Sequence, residues 1–130
     1  MIDKYDEYPS VCIDLKKSRV RIHRKTIHQM MNPEYIELLV NPGKRCFIIR
    51  SAPDRKNSHR VKIGRISDDK KSYELYSREF IKEIQKVDSS LKSAESYRIY
   101  GKLSQDKTAV FFALKNAELI NAGKESGFYA

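Results

Sequence analysis

The 130-residue chain reads as an α+β protein, rich in strands and built from two strand–helix–hairpin units. Three observations lead there. Short runs that alternate apolar and polar residues recur along the chain, as half-buried strands require. Tyr35–Val40 and Arg45–Arg50 are strand-like and joined by Asn41-Pro42-Gly43-Lys44, whose Pro-Gly pair is a type II turn signature. Sustained helical spacing is confined to Phe80, Ile81, Ile84 and Val87, with a shorter echo at Ile27, Met30 and Met31.

Taken in order, residues 1–9 form an arm that stops at Pro9. Val11, Ile13 and Leu15 alternate with Cys12, Asp14 and Lys16 in a first strand. Val20 and Ile22 alternate with Arg19, Arg21 and His23 in a second. Thr26–Met31 is a short helix closed by Asn32-Pro33, because proline lacks the donor and pushes its predecessor out of helical geometry. After the hairpin comes a polar, basic loop from Ala52 to Arg60. Val61, Ile63 and Ile66 suggest a strand interrupted at Gly64, and Asp68–Lys71 is a connector. Tyr73 and Leu75 open the second half. Ser77 is a good N-cap, with Glu79 in the first turn where the helix dipole favours a negative charge. Beyond the linker 88–94, Tyr97–Leu103 and Thr108–Leu114 form a hairpin about Ser104–Lys107. Ala117–Ala122 is expected to add a short helical turn. The implied division is an arm at 1–9, a basic unit at 10–66, a second unit at 67–116 that shares its core, and a tail at 117–130.

Charge separates the halves. Residues 1–66 hold 15 Lys/Arg against 7 Asp/Glu, and residues 67–130 hold 11 against 10, within a net charge of +9. Lys16, Lys17, Arg19, Arg21, Arg24 and Lys25 concentrate six of these cations with no intervening acid. A basic strand leading into a short helix is a compact way to present cations to a polyanion. Cys12 and Cys46 lack metal-ligand or CxxC spacing, so they read as small core residues of a reduced cytoplasmic protein. No apolar run resembles a signal peptide or reaches membrane-spanning length.

The halves repeat. Ile22, Ile27 and Met31 match Leu75, Phe80 and Ile84 at an offset of 53. Val40, Phe47 and Ile49 match Leu103, Val110 and Phe112 at an offset of 63. Each unit is too small to close a core alone, so the two are expected to pack as one pseudo-symmetric body.

This layout resembles the AbrB/MazE/SpoVT class of swapped-hairpin DNA-binding proteins. Ser18-Arg19-Val20-Arg21-Ile22 is similar to the family's Gly-Arg-Val-Val-Ile segment, and Ile36–Arg50 to its closing hairpin. Ser18 stands where the family favours Gly, and His23 where it commonly has Pro. MraZ-type regulators carry two such units in one chain. The resemblance implies a swapped-hairpin barrel, DNA contacts by Arg19 and neighbouring basic residues, and a binding face made by two units, within one chain or across a homodimer.

No Gly-rich phosphate loop, HExxH, GxSxG or paired-Cys zinc pattern is present in the sequence. His23, His28 and His59 lack the spacing of a metal or catalytic set, so neither enzyme nor cofactor is expected. The leading reading is a double-stranded DNA binder acting in transcription regulation. Its expected contacts are Lys16, Lys17, Arg19, Arg21, Arg24 and Lys25, with Arg55, Lys56 and Arg60 from the basic loop. The rivals are an antitoxin-like or adaptor protein working through a protein partner, and a small RNA-binding protein or nuclease. The eight tyrosines fall mostly in amphipathic strands, where packing rather than base stacking is their expected duty.

Overall fold

The computed structural model describes residues 8–61 and 72–120. The elements among these residues are β1 (Ser10–Asp14), β2 (Arg19–His23), α1 (Arg24–Gln29), β3 (Tyr35–Asn41), β4 (Cys46–Ser51), β5 (His59–Arg60), β6 (Ser72–Tyr76), α2 (Arg78–Val87), β7 (Ser96–Tyr100), β8 (Lys102–Leu103), β9 (Ala109–Ala113) and β10 (Glu118–Ile120), with a 3-10 turn at Leu114–Asn116. The strands form two antiparallel five-stranded sheets, β10-β7-β1-β2-β6 and β5-β3-β4-β9-β8. The protein is α+β and mostly strand. Among the described residues no strand pairing closes the two sheets into one barrel.

Alternation decides which face each strand hides. Val11, Ile13, Val20, Ile22, Leu75, Tyr97 and Ile99 turn inward from the first sheet, while Ile36, Phe47, Ile49, Val110 and Phe112 do so from the second. Phe47 anchors the core. It stacks on Phe112 at 4.9 Å between ring centroids and takes Phe80 of α2 edge-on at 5.2 Å. Ser77 caps α2 as expected, its Oγ accepting the Phe80 N–H at 3.2 Å. Ile27 and Thr26 pin α1, and the Thr26 hydroxyl both accepts from the Ser10 N–H and donates to the Ser10 carbonyl.

The repeat has a structural counterpart in the strand registers. β2 pairs with β6 through Val20↔Leu75, Arg21↔Glu74 and Ile22↔Tyr73. Advancing each residue of β2 by 53, and moving those of β6 back by 53, returns the same set of pairs, centred on Arg21↔Glu74. β4 pairs with β9 through Phe47↔Phe112, Ile48↔Phe111 and Ile49↔Val110. This set is symmetric under the offset of 63, centred on Ile48↔Phe111. The hairpins match too, since Val40↔Phe47 maps onto Leu103↔Val110. Each sheet therefore carries a local two-fold between the halves.

Several expectations are corrected. The segment Tyr97–Leu103 is not one strand: β7 belongs to the first sheet and β8 to the second, with Gly101 at the crossing. Glu118–Ile120 is a strand at the edge of the first sheet rather than part of a helical turn, because its backbone pairs with Ser96–Arg98. The short helix starts at Arg24 and ends at Gln29. Met31 (φ 66°) and Asn32 (φ 51°) are left-handed, and the Asn32 N–H donates back to the Ile27 carbonyl in a Schellman-type closure. Met31 consequently lies 70% exposed instead of in the core. Cys12 and Cys46 are part-exposed thiols on outer sheet faces, not core residues. The strand expected at Val61, Ile63 and Ile66 lies outside the described residues apart from the buried Val61, as do the 68–71 connector, most of the arm and the end of the tail.

The first hairpin is present, but not its type II turn. Gly43 does not have positive φ; Arg45 does, at 50°. The Arg45 N–H donates to the Pro42 carbonyl at 3.2 Å, and Asn41 Oδ1 accepts the Lys44 N–H. A Cβ on Gly43 would meet nothing nearer than Asn41 Oδ1 at 3.5 Å. Gly43→Ala is therefore expected to leave stability unchanged or raise it by up to about 1 kcal/mol, through a less flexible unfolded chain. Urea denaturation checks this; a lower midpoint would mean that Gly43 needs its conformational freedom. Ser18 gives the opposite case. At φ 52° it pays the left-handed cost that glycine escapes, so Ser18→Gly should add about 0.5 kcal/mol in the same assay.

Candidate nucleic-acid interface

The outer face of the first sheet collects the side chains that alternate away from the core. Reading across β7, β1, β2 and β6, one row holds Ser96, Asp14, Arg19 and Tyr76, and the next holds Arg98, Cys12, Arg21 and Glu74. A third holds Tyr100, Ser10 and, opposite each other on β2 and β6, His23 and Ser72. Glu118 extends the middle row from β10.

The basic strand is therefore largely matched by acids from its neighbours. Arg19 Nη2 meets Asp14 Oδ2 at 3.1 Å and its Nη1 meets Glu74 Oε2 at 3.2 Å, with the side chain 16% exposed. Arg21 Nε lies 3.5 Å from the same Glu74 oxygen, but its side chain is 45% exposed and turns to solvent. Arg19 is thus held inside the fold, while Arg21 is presented. Glu74 sits under both. Removing its charge should release Arg21 to an external anion while Asp14 still holds Arg19, so Glu74→Gln is expected to raise duplex affinity about three- to tenfold, and the exposed Arg21–Glu74 pair contributes under about 1 kcal/mol to stability. Anisotropy titration checks this; an unchanged affinity would mean that Arg21 faces no polyanion.

The remaining cations flank this face or lie away from it. Lys16 and Lys17 are exposed on the β1–β2 turn, which Asp14 closes by accepting the Lys17 N–H at 3.1 Å. That turn adjoins the start of α2, where the Ser77 N–H donates to the Ser18 carbonyl at 2.9 Å. It brings in the exposed Arg78, which sequence reasoning missed although the repeat offset of 53 pairs it with Lys25. At the opposite end of the β2–β6 ribbon, Arg24 and Lys25 open α1, and His23 Nδ1 accepts the Lys25 N–H at 3.1 Å. Arg55 and Lys56 are exposed in the loop after β4. Arg60 is on β5 at the edge of the second sheet, tied to β6 by the Tyr73 hydroxyl, which donates to the Arg60 carbonyl at 2.7 Å. These three thus belong with the second sheet rather than with the β2 ribbon.

Titration chemistry is sparse. Burial lowers the His59 pKa. The Ser90 hydroxyl holds Asp88 below the usual carboxylate range, aided by the Ser90 N–H and Arg45. Ser104 and Thr108 do the same for Asp106 in the second hairpin turn. Among the described residues no group of three or more His, Cys, Asp or Glu could hold a metal ion, and no helix is long and apolar enough to cross a membrane. No protein-family model, curated protein or solved structure matches the chain.

Proposed function

We propose that the chain binds double-stranded DNA as a transcriptional regulator, laying the exposed β2–β6 ribbon across a groove. The observation that carries this reading is the two-fold placement of cations about Arg21↔Glu74. Lys25 stands at the first turn of α1 and Arg78 at that of α2, at opposite ends of the ribbon and both exposed. Lys16 and Lys17 reinforce one end, and Arg24 the other. Five residues of strand span about 17 Å, against a major groove about 12 Å wide that admits a two-stranded ribbon. Cations at both ends then reach phosphates on both groove walls, and Arg21 in the middle meets base edges. Arg19 acts through the fold, tying β2 to Asp14 of β1 and Glu74 of β6. Arg55, Lys56 and Arg60 add distant, sequence-independent attraction.

The left-handed Ser18 also supports the resemblance to the AbrB-like class, since it stands where that family favours glycine. On this reading the two units are a pseudo-dimer of swapped-hairpin type in one chain, joined through β2–β6 and β4–β9, acting in the reduced cytoplasm. The test is fluorescence anisotropy of a labelled random duplex of about 30 base pairs across a salt series, with a log–log slope of about −0.9 for each phosphate neutralised. A slope between about −3.5 and −5.5 is expected for four to six contacts. Absence of binding at about 50 mM salt rules the reading out, and equal affinity for the single strands favours an RNA-type ligand instead.

A further inference from the structure

The central strands of the second sheet are apolar on both faces over the row through Ile48 and Phe111. β4 runs Cys46-Phe47-Ile48-Ile49 before its polar end at Arg50-Ser51, and β9 runs Ala109-Val110-Phe111-Phe112-Ala113. Continuous apolar runs mark strands covered on both sides, whereas an antiparallel sheet with one wet face alternates. Phe47, Ile49, Val110 and Phe112 fill the core. The other face carries Leu39, Ile48 and Phe111 in one cross-strand row, with the part-exposed Ala113 and Cys46 on one side and the buried Ala109 on the other. Leu39 and Ile48 are part-exposed and Phe111 is 46% exposed.

The patch has a size and a charge. Three strands at about 4.8 Å spacing make the row about 10 Å wide, and Ala109 to Ala113 runs about 14 Å. That footprint is far below the roughly 800 Å² per partner of a stable protein interface, but it matches one helix, about 10 Å across, over two to three turns. Lys102 pairs with Phe111 at one end of the row. Arg50 stands in the adjoining row on β4, between Glu37 and Ala109, and Arg60 stands at the far edge on β5, opposite Tyr35. Glu37 is already engaged by Arg50 at 3.4 Å. A second copy of a chain at +9 would bring like charges together, so the complement is acidic.

We infer that the outer face of the second sheet is a docking site for an acidic amphipathic helix of a partner protein, its apolar stripe on Leu39, Ile48 and Phe111 and its carboxylates toward Lys102 and Arg60. This site is separate from the β2–β6 ribbon and stands whether or not the chain binds DNA. The probe is a labelled peptide of about 18 residues with leucine at helical spacing and glutamate elsewhere, beside its leucine–lysine counterpart. The full chain should bind the acidic peptide in the micromolar range and the basic one at least tenfold more weakly. Amide chemical shifts should move along β4 and β9. Ile48→Glu should cost at least thirtyfold and Lys102→Glu about fivefold. Phe111→Ser, at the exposed end of the row, gives the same readout if Ile48→Glu disturbs the sheet. Equal binding of both peptides, or binding indifferent to Ile48 and Phe111, overturns the assignment. So does sedimentation as a dimer that Ile48→Glu dissolves, or binding that occurs only in a chain ending at Ile120, since the cover would then be a second copy or the chain's own tail.

Discussion

Gly101→Val is expected to destabilise the protein by about 3 kcal/mol, near the top of the usual range for overpacking, and to lower the thermal midpoint by roughly 10 °C. Gly101 is the residue at which the chain leaves β7 in one sheet and enters β8 in the other. At that step the backbone passes against β9 so closely that a Cβ would lie 2.7 Å from the Phe111 carbonyl oxygen and from two ring carbons of Phe112. Neither neighbour can yield cheaply. The Phe111 backbone pairs with Lys102, and Phe112 is fully buried and stacked on Phe47. The Gly101 N–H also donates to the Pro9 carbonyl at 2.8 Å, so backing away would break a hydrogen bond on the other side. Even Gly101→Ala should cost about 2 kcal/mol, because the clash is with the first carbon of any side chain. Differential scanning calorimetry beside Gly43→Ala makes the comparison internal: one glycine is required and the other is not. Equal midpoints for the two variants would mean that the sheets are not joined through a close passage at Gly101.

The elements were legible where a local rule governs them. Ser77 announces α2 because its hydroxyl satisfies an orphan N–H, and the apolar spacing after it needs nothing from elsewhere in the chain. The offsets of 53 and 63 carried more than they promised, because they are also the operators of the β2–β6 and β4–β9 registers. What stayed hidden depends on partners distant in sequence. Tyr97–Leu103 alternates as one strand, and nothing local says that its halves join different sheets. Pro42-Gly43 offers a type II turn, yet the hairpin places its left-handed residue at Arg45, two positions later. Glu118–Ile120 has too little periodicity to identify, and pairing with β7 decides it.

The site was legible in its cations and not in its anions. Lys16 to Lys25 stand out as a basic run, but a strand's charge is set by its cross-strand neighbours as well as its own residues. Asp14 and Glu74, 5 and 55 positions from Arg19, hold that arginine through contacts no reading of Lys16–Lys25 contains. The face that looked uniformly basic is close to neutral at its centre and cationic at its ends. That changes which residues should matter for binding.

Replacing Lys16, Lys17, Lys25 and Arg78 together by Ala is accordingly expected to lower duplex affinity more than a hundredfold at about 0.1 M salt and to flatten the salt slope by about 3.6, the release of counterions from four phosphates. Arg19→Ala should act differently. It leaves Asp14 and Glu74 short of a partner, so its first effect is on the fold, and its salt slope should stay near that of the native chain. Arg21→Ala should cost about 1–3 kcal/mol on a selected sequence and much less on a random one, because a base contact discriminates where a phosphate contact does not. The four changed residues are exposed and Lys16, Lys17 and Arg78 make no ion pair with a described residue, so circular dichroism should show an unaltered fold. Anisotropy across the same salt series separates the cases. A quadruple variant that binds as tightly as the native chain would remove the ribbon ends from the interface and leave the loop of Arg55 and Lys56 as the cationic surface to test. A lowered affinity with an unchanged slope would show that the lost contacts were not to phosphates, since counterion release is the one contribution that the slope records.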